Sequence, residues 1–414
     1  MKRNTRFLLT TAAGAAVTAN ALKPIARKGF PSVPAFSFGL PTSELPLQAL
    51  AIQAAAAAVV GRKGGVRGAA GALGVVAAGA SFAGLAQLQQ AGIRSAEQFE
   101  AALQDGLGEG YRKRITEGFA LQSDVPLTRK RILMPDFSAR KRYRVERDIP
   151  YGEHGERNML DVWRRRDVAS DAKNPVLFQV HGGAWVTGMK EGQAEPLMGH
   201  LAERGWVCVA PNYRLSPRAT WPEHIVDVKR ALAWVKQNIA QHGGDPDFVV
   251  ITGGSAGGHL CALTALTPNR AEWQPGFEDV DTSVVAAVPF YGVYDFTNHY
   301  KTSRDDIIPF LEKHVFKTLV ADDRTNWETA SPVFHIGPDA PPMFVLHGVN
   351  DSLVPVEQAR TFVEELRRVS NHDVVYAELP LAQHAFDILP SARAHHSAHA
   401  VERFLAVVRS EYER

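Results

Sequence analysis

Cysteine is nearly absent from this chain of 414 residues, which has only Cys208 and Cys261. Two cysteines provide neither the spacing of a metal-ligand cluster nor a framework of disulfide bridges, and each lies in an apolar stretch, as a buried free thiol does. A large excess of one charge is also absent, since 46 basic and 44 acidic residues leave a net charge of +2. With 45% hydrophobic residues, the chain has the apolar content of a large core, and disorder along its whole length is excluded.

The small net charge conceals an uneven distribution along the chain. Residues 1–147 contain 21 basic and 9 acidic side chains, whereas the remainder has an excess of acidic ones. A basic first third indicates either a nucleic-acid-binding arm or a segment close to a membrane. No stretch interleaves aromatic and basic residues as nucleic-acid sites do. We therefore expect no nucleic-acid partner and favour a membrane.

The start of the chain has the three parts of a secretory signal. Residues 1–6 include three basic side chains, residues 7–17 form an apolar run, and residues 19–21 read Ala-Asn-Ala, a small-residue pattern. We predict a signal sequence over residues 1–21, whose removal the sequence alone does not decide.

Two further apolar runs follow, at residues 45–60 and 69–86. Each is close to the length of about 20 residues that crosses a bilayer, and the loop 61–68 between them carries three basic residues. Positively charged loops stay on the cytoplasmic side. We predict a helical hairpin over residues 41–90 that anchors the chain in a membrane, with everything after residue 88 in the cell envelope or secreted. The alternative is a soluble hairpin packed on the rest of the chain.

From residue 143 onward, after a basic connector over residues 91–142, strand and helix patterns alternate. The strand patterns are short apolar runs, typical of strands buried on both faces, at residues 176–180, 206–210, 248–252, 284–288 and 343–347. Such alternation predicts an α/β fold with a mostly parallel central sheet and helices on both faces. We assign this domain to residues 143–414.

The strongest motif is Gly-Gly-Ser-Ala-Gly at residues 253–257, between a predicted strand and a predicted helix. A G-x-S-x-G sequence in this context is typical of a nucleophile elbow, a tight turn that lifts the serine hydroxyl clear of the backbone. Small neighbours let strand and helix approach closely, and the helix N-terminus directs its amides at a developing oxyanion. We predict that Ser255 is the nucleophile of an acyl transfer.

A second glycine-rich turn, His-Gly-Gly-Ala-Trp, occupies residues 181–185 after another predicted strand. Acyl transfer needs donors aimed at the carbonyl oxygen as it becomes negative, and glycine lets the backbone approach without a Cβ clash. The predicted oxyanion hole consists of backbone amides from this turn and from the residue after the nucleophile, namely Gly182, Gly183, Ala184 and Ala256. Trp185 either binds substrate as a wall of the acyl pocket or packs in the core.

The other two members of a serine triad are expected later in the chain. Asp351 directly follows a predicted strand, whereas the competing aspartates follow none or, like Asp387, lie too close in sequence to the histidine. Among the later histidines, His384 lies on a loop behind a strand. The order Ser255, Asp351, His384 is typical of a triad built on an α/β sheet. We predict that Asp351 orients His384, the general base.

With these motifs in this order, residues 143–410 resemble the α/β-hydrolase fold, and within it the hormone-sensitive-lipase-like branch of bacterial carboxylesterases, fold-3. Residues 212–217, Asn-Tyr-Arg-Leu-Ser-Pro, are similar to a Y-R-L-x-P segment of that branch. Two positions depart from it, since Ala184 stands where a glycine is frequent and Gly254 where an acidic residue is frequent. The segment around Asp351 looks more like acetyl esterases and prolyl-oligopeptidase-type hydrolases, which leaves the substrate open.

The resemblance implies a serine carboxylesterase that works through an acyl-enzyme, with no metal and no other cofactor. Its substrate would be a small-molecule or lipid ester. Residues 291–335 contain no long, wholly apolar lid suited to emulsified triglyceride, so we expect short- to medium-chain esters. An amidase, formamidase or peptidase could use the same triad, and a membrane-anchored binding protein with an inactive hydrolase fold is a more distant alternative.

Overall fold

The computed structural model describes residues 1–116, 119, 127–169 and 171–414. Most of residues 117–126, a part of the predicted connector, lie outside the described residues. The helices, in chain order, are α1 (Arg3–Leu22), α2 (Ser32–Glu44), α3 (Pro46–Gly61), α4 (Gly68–Leu107), α5 (Arg129–Leu133), α6 (Ala139–Arg142), α7 (Glu195–Glu203), α8 (Glu223–Asn238), α9 (Ala256–Leu266), α10 (Ile307–Leu311), α11 (Arg324–Thr329), α12 (Glu357–Val369) and α13 (Ala392–Tyr412).

Eight strands form one sheet, and they are β1 (Arg144–Pro150), β2 (Met159–Arg164), β3 (Asn174–Val180), β4 (Val207–Pro211), β5 (Gly244–Gly254), β6 (Ala286–Phe290), β7 (Met343–Gly348) and β8 (Val374–Leu379). Their order is β1-β2-β4-β3-β5-β6-β7-β8. The pairs β1–β2 and β2–β4 are antiparallel, and the other pairings are parallel. The α/β fold with a mostly parallel sheet is confirmed, and the antiparallel edge formed by β1 and β2 is an addition that the sequence pattern does not predict.

Successive side chains of the central strands enter two different apolar clusters. On β3, Val176 and Phe178 belong to the first cluster and Leu177 to the second, because neighbouring side chains of a strand point to opposite faces. The first cluster is completed by α8, α9 and α12, and the second by α7 and α13. Helices therefore cover both faces, which explains why the strands are apolar along their whole length.

A single helix of 40 residues, α4, joins the N-terminal helices to the sheet domain. Its last turns bury Phe99 and Leu103 in the second cluster, against α13 and β8. Its first half packs on α1 instead. The helix extends well beyond residue 90, where the predicted hairpin ends, so the hairpin and the connector share one rigid element.

Small and hydroxyl side chains line the contact between α1 and α4. A Cβ atom at Gly74 would lie 2.6 Å from the ring of Phe7. Further along, Thr18 Oγ1 and Ser81 Oγ are 2.7 Å apart, and Gln53 of α3 bonds to both hydroxyls. These contacts make α1 parallel to α4 and α3 antiparallel to both. Close approach through glycine together with interhelical hydrogen bonds is typical of helices packed in a membrane.

Length and hydropathy single out α4 within the described residues as the helix able to cross a membrane by itself, and 28% of its most apolar window is buried. Taken together, α2 and α3 are also long and apolar enough, but a bend of 100° separates them. The core helix of a soluble domain would be mostly buried, whereas α4 leaves an apolar face uncovered. The residues predicted as a signal sequence form nearly all of α1, which packs into this bundle.

Candidate active site

Ser255 occupies the turn between β5 and α9 in a backbone conformation that L-residues rarely adopt, with φ +60° and ψ −122°. Such strain persists only where the surroundings enforce it. Here a Cβ atom at Gly257 would lie 2.1 Å from the carbonyl oxygen of Val180, and one at Gly253 would lie 2.4 Å from that of Gly257. The glycines thus let β5 and α9 pass β3 at close range, while the serine itself stays partly exposed.

The turn after β3 lies directly against this serine. A Cβ atom at Gly182 would be 3.1 Å from the Cβ atom of Ser255. Gly183 has a φ of +130°, and a Cβ atom there would meet the carbonyl oxygen of Thr187 at 2.1 Å. Ala184 follows with a φ of +52°, so the alanine that departs from the branch pattern adopts the left-handed conformation that glycine favours.

The amides of these two turns differ in what they bond to. Gly182 N–H donates to Gln193 Oε1 at 2.7 Å, which removes it from the predicted oxyanion donors. Within the described ranges, the N–H groups of Gly183, Ala184 and Ala256 have no protein acceptor. Gly183 and Ala184 are partly exposed, and Ala256 begins a helix, whose N-terminus favours negative charge. Three of the four predicted donors are therefore available to an oxyanion.

Asp351 and His384 lie on neighbouring loops, one after β7 and the other after β8. Asp351 Oδ2 accepts a hydrogen bond from His384 Nδ1 at 2.6 Å, and both side chains are buried. The backbone N–H groups of Leu353 and Val354 donate to Asp351 Oδ1 at 2.8 and 2.7 Å. Burial alone would raise the pKa of Asp351, but His384 and the hydrogen bonds outweigh it and hold this pKa well below its ordinary value. The carboxylate is thus charged and fixed against the imidazole.

Two residues that sequence reasoning missed support this pair. His347, at the end of β7, is fully buried, and its Nε2 lies 3.2 Å from Asp351 Oδ2 and 3.0 Å from the carbonyl oxygen of Val354. Gln383 Oε1 accepts from the N–H groups of Ser352 and His384, each at 2.8 Å. A histidine within a buried strand, four residues before the aspartate, is the one sequence signal that could have revealed His347.

A tyrosine bridges the serine turn and the histidine. The ring of Tyr291 lies 4.6 Å from that of His384, and its hydroxyl donates to Asp387. A Cβ atom at Gly254 would be 2.6 Å from the Tyr291 hydroxyl, which explains why a larger residue does not precede the nucleophile. Burial raises the pKa of Asp387 to about 6, against the hydrogen bond from Tyr291 and the charge of His384, which lower it.

Trp185 lies in the core. Its side chain is 2% exposed, its Nε1–H donates to His259 Nδ1 at 3.2 Å, and its ring meets Phe296 edge-on at 5.0 Å. Of the two interpretations left open, these contacts favour packing over substrate binding.

Two groups of metal-ligating side chains occur elsewhere in the described residues, and each already contains a protein cation. In the first, Arg204 pairs with Glu402 beside His200. In the second, Lys190 Nζ lies 2.7 Å from Asp161 Oδ1. Both groups thus have the composition of ion-pair networks, and both lie outside the cluster around Ser255.

Comparison with known proteins finds esterases among the relatives of this chain. Residues 160–366 match the family model BD-FAE. Probable carboxylic ester hydrolase LipM of Mycobacterium tuberculosis is 52% identical over 408 residues, which cover 97% of this chain and 93% of that protein. Esterase LipQ of the same organism is 47% identical over 320 residues, or 77% of this chain and 76% of that protein. The similarity to LipM therefore includes the N-terminal helices.

Solved esterase structures match nearly two thirds of the chain. The thermophilic esterase Est2 of Thermogutta terrifontis, solved with propionate bound, is 27% identical, with a TM-score of 0.51 over 64% of this chain and 92% of that chain. A truncated carbohydrate esterase from gut microbiota has the same fold at 20% identity, with a TM-score of 0.56 over 64% of this chain and 97% of that chain.

Proposed function

This chain belongs to the BD-FAE family of α/β-hydrolases, and from that premise we propose that it is a carboxylic ester hydrolase whose nucleophile is Ser255. One observation carries the proposal more than any other. A strained serine lies beside backbone amides that have no acceptor among the described residues, and Tyr291 packs between its turn and a buried carboxylate–imidazole pair. Acyl transfer requires a nucleophile, a base with an orienting group and oxyanion donors, and these residues supply all of them.

The hydrogen bond between His384 and Asp351 determines which imidazole nitrogen acts as the base. Because Nδ1–H donates to Asp351, Nε2 is left with its lone pair. His384 Nε2 takes the proton as Ser255 Oγ attacks the ester carbonyl, and Asp351 stabilises the resulting imidazolium. The carbonyl oxygen becomes negative within reach of the amides of Gly183, Ala184 and Ala256, where each donor contributes about 10²–10³ in rate.

Collapse of the tetrahedral intermediate completes acylation. His384 passes its proton to the leaving alkoxide, so the alcohol departs and the acyl group remains on Ser255. Water then attacks the acyl-enzyme while His384 takes one of its protons, and the carboxylic acid leaves as Ser255 regains its hydrogen. All proton movements use the same imidazole, and no step needs a metal or other cofactor.

The acyl group that this site accepts is short or medium in length. Est2, a structural relative, was solved with propionate bound. Here the excursion between β6 and β7 contains α10, α11 and other short helical segments. Trp327 and Phe316 stack on each other at 3.9 Å within it. Such internal packing leaves this excursion little apolar surface for a long chain.

The helices α1, α3 and α4 together anchor the enzyme in a membrane. α1 has 20 residues, or about 30 Å at 1.5 Å per residue, which matches the hydrocarbon core. Large apolar side chains face outward from all three helices, among them Leu9, Ile52 and Val76 at 54%, 71% and 68% exposure. Lys2, Arg3, Arg6, Arg62 and Arg67 lie at one end of the bundle. Since basic residues stay in the cytoplasm, the sheet domain lies on the opposite side.

Hydrolysis of p-nitrophenyl esters from acetate to palmitate by the full-length chain tests the enzyme assignment. Activity should peak at short or medium chains, fall by several orders of magnitude in Ser255→Ala, and follow covalent labelling of Ser255 by a fluorophosphonate. Wild-type activity in Ser255→Ala would overturn the assignment. A preference for matched anilides over esters would identify an amidase instead.

Cysteine labelling in intact cells tests the anchor. Arg62→Cys, between α3 and α4, should be protected from a membrane-impermeant maleimide, whereas Gly110→Cys should react, because a Cβ atom at Gly110 meets nothing within 4 Å. Equal reaction of both would contradict the proposed topology, and the native cysteines are both buried.

A further inference from the structure

The N-terminal helices also contact the candidate active site. Phe36 of α2 lies edge-on to His384, with ring centroids 5.8 Å apart and planes at 76°. Phe36 is half-buried against the second apolar cluster, whereas Phe38 on the same helix is 59% exposed. A segment nearly 350 residues away in sequence thus brings an aromatic ring to the imidazole that moves the protons.

Hydrogen bonds fasten this segment to the residues on both sides of Asp351. Asn350 Nδ2 donates to the carbonyl oxygens of Ala21 and Leu22, at 3.1 and 2.9 Å. Ser352 Oγ donates to the carbonyl oxygen of Ser32 at 3.3 Å. The end of α1 and the start of α2 are therefore bonded to the loop that carries the carboxylate.

α2 is also held from its other side. Asn20 Nδ2 donates to the carbonyl oxygen of Ala35 at 2.8 Å, one residue before the ring that meets His384. At the far end of the helix, buried Glu44 pairs with buried Arg393 and accepts from Ser391 Oγ at 2.9 Å. A buried ion pair and four sets of hydrogen bonds fix the position of Phe36 in a way that a loosely attached anchor would not.

We propose that α2 forms one wall of the ester site, that Phe36 is a specificity-determining residue which contacts the apolar part of the ester, and that residues 20–44 remain on the active enzyme. This inference rests on the proposed esterase function of Ser255. It also bears on the predicted signal sequence. Removal of residues 1–21 would delete the Ala21 carbonyl and the Asn20 side chain, which are both buried and hold α2 in place. The substrate class is an ester with an apolar chain, bound between the sheet domain and the anchor.

Acyl-chain series on the full-length chain test this wall. In Phe36→Ala, kcat/KM for p-nitrophenyl octanoate should fall about tenfold, mainly through KM, as expected for lost apolar contact, while acetate changes less than about twofold. Phe36→Leu should restore most of the loss. Phe38→Ala, a matched change on the exposed side of α2, should leave both esters within about twofold of wild type.

Two results would overturn the role of Phe36. An equal loss of kcat on acetate and octanoate would mean that the ring only supports His384, and unchanged kinetics on both would mean that it contacts no substrate. Fluorophosphonate labelling of Ser255 in the wild type separates these results from a failure of the esterase proposal, because labelling would then be absent from every variant.

The N-terminus of the working enzyme is the second test. Intact mass of fluorophosphonate-labelled protein purified from cells should include residues 20–44. Labelled, fully active enzyme that begins after residue 44 would overturn the proposal, as would enzyme that begins after residue 21 with the activity and chain-length preference of the full chain.

Discussion

Two buried carboxylates lie close to the same imidazole, and their protonation is shifted in opposite directions. Asp351 accepts two backbone N–H groups, one bond from His384 and one contact from His347, and its pKa is held well below the ordinary value. Asp387 is fixed by Tyr291, and burial raises its pKa to about 6. Both are nearly inaccessible to solvent. Hydrogen-bond donors and nearby positive charge, more than depth, decide which carboxylate stays charged.

The largest expected difference between the two is in catalysis. Asp351→Asn should lower kcat by about 10⁴, because an amide cannot hold the His384 tautomer that leaves Nε2 free. Asp387→Asn should cost less than about tenfold, since its partner is Tyr291 and not an imidazole nitrogen. Steady-state kinetics on a short ester measure both. Equal losses would mean that the triad carboxylate has been misassigned.

His347, the second histidine in contact with Asp351, tests how much that contact contributes to catalysis. His347→Gln keeps a donor but moves it, and we expect a loss of about tenfold in kcat, the size of one weakened charge-assisted hydrogen bond. The KM should remain near that of the wild type, because His347 is fully buried and reaches no substrate. His372→Gln, a histidine on the loop before β8, is the matched control and should leave kcat unchanged.

The sequence alone predicts best those parts of the site whose residues are neighbours in the chain. The turn at Ser255 could be predicted because strand, glycines and helix are neighbours in the chain, and the position of Asp351 after a strand led to the carboxylate that contacts His384. Tyr291 and Phe36 come from two distant regions, and only the packed fold shows that both rings approach one imidazole. Asp387 is close to His384 in sequence, but its bond from Tyr291 is visible only in the fold. The bond from Gly182 to Gln193 likewise depends on a loop whose course no local pattern specifies.

Tyr291→Phe removes the partner of Asp387 and leaves the ring against His384. A buried carboxyl without its hydrogen bond is destabilising by about 1–3 kcal/mol, so the temperature of thermal inactivation should fall at neutral pH. Activity per active site, counted by fluorophosphonate labelling, should drop by less than about tenfold. A loss as large as that of Asp351→Asn would make Tyr291 a member of the catalytic machinery and not a support for it.

The opposite pKa shifts of the two carboxylates can be tested directly, through the pH dependence of the free energy of unfolding. A carboxyl whose pKa is raised from 3.8 to about 6 on folding contributes stability that is fully present below pH 3.8 and is lost as pH rises to about 6. At 1.36 kcal/mol per unit, the change is about 3 kcal/mol. Asp387→Asn, which stays neutral, should therefore gain stability relative to wild type as the pH rises from 4 to 6.5.

Asp351 behaves in the reverse sense. Because its pKa is lowered on folding, its contribution to stability is lost only below pH 3.8. The difference in stability between Asp351→Asn and wild type should therefore stay flat between pH 4 and 6.5. Calorimetry of the detergent-solubilised variants at three pH values measures both differences. If the two curves run parallel, burial alone sets the protonation of these carboxylates, and the contrast between their hydrogen-bond partners has no energetic consequence.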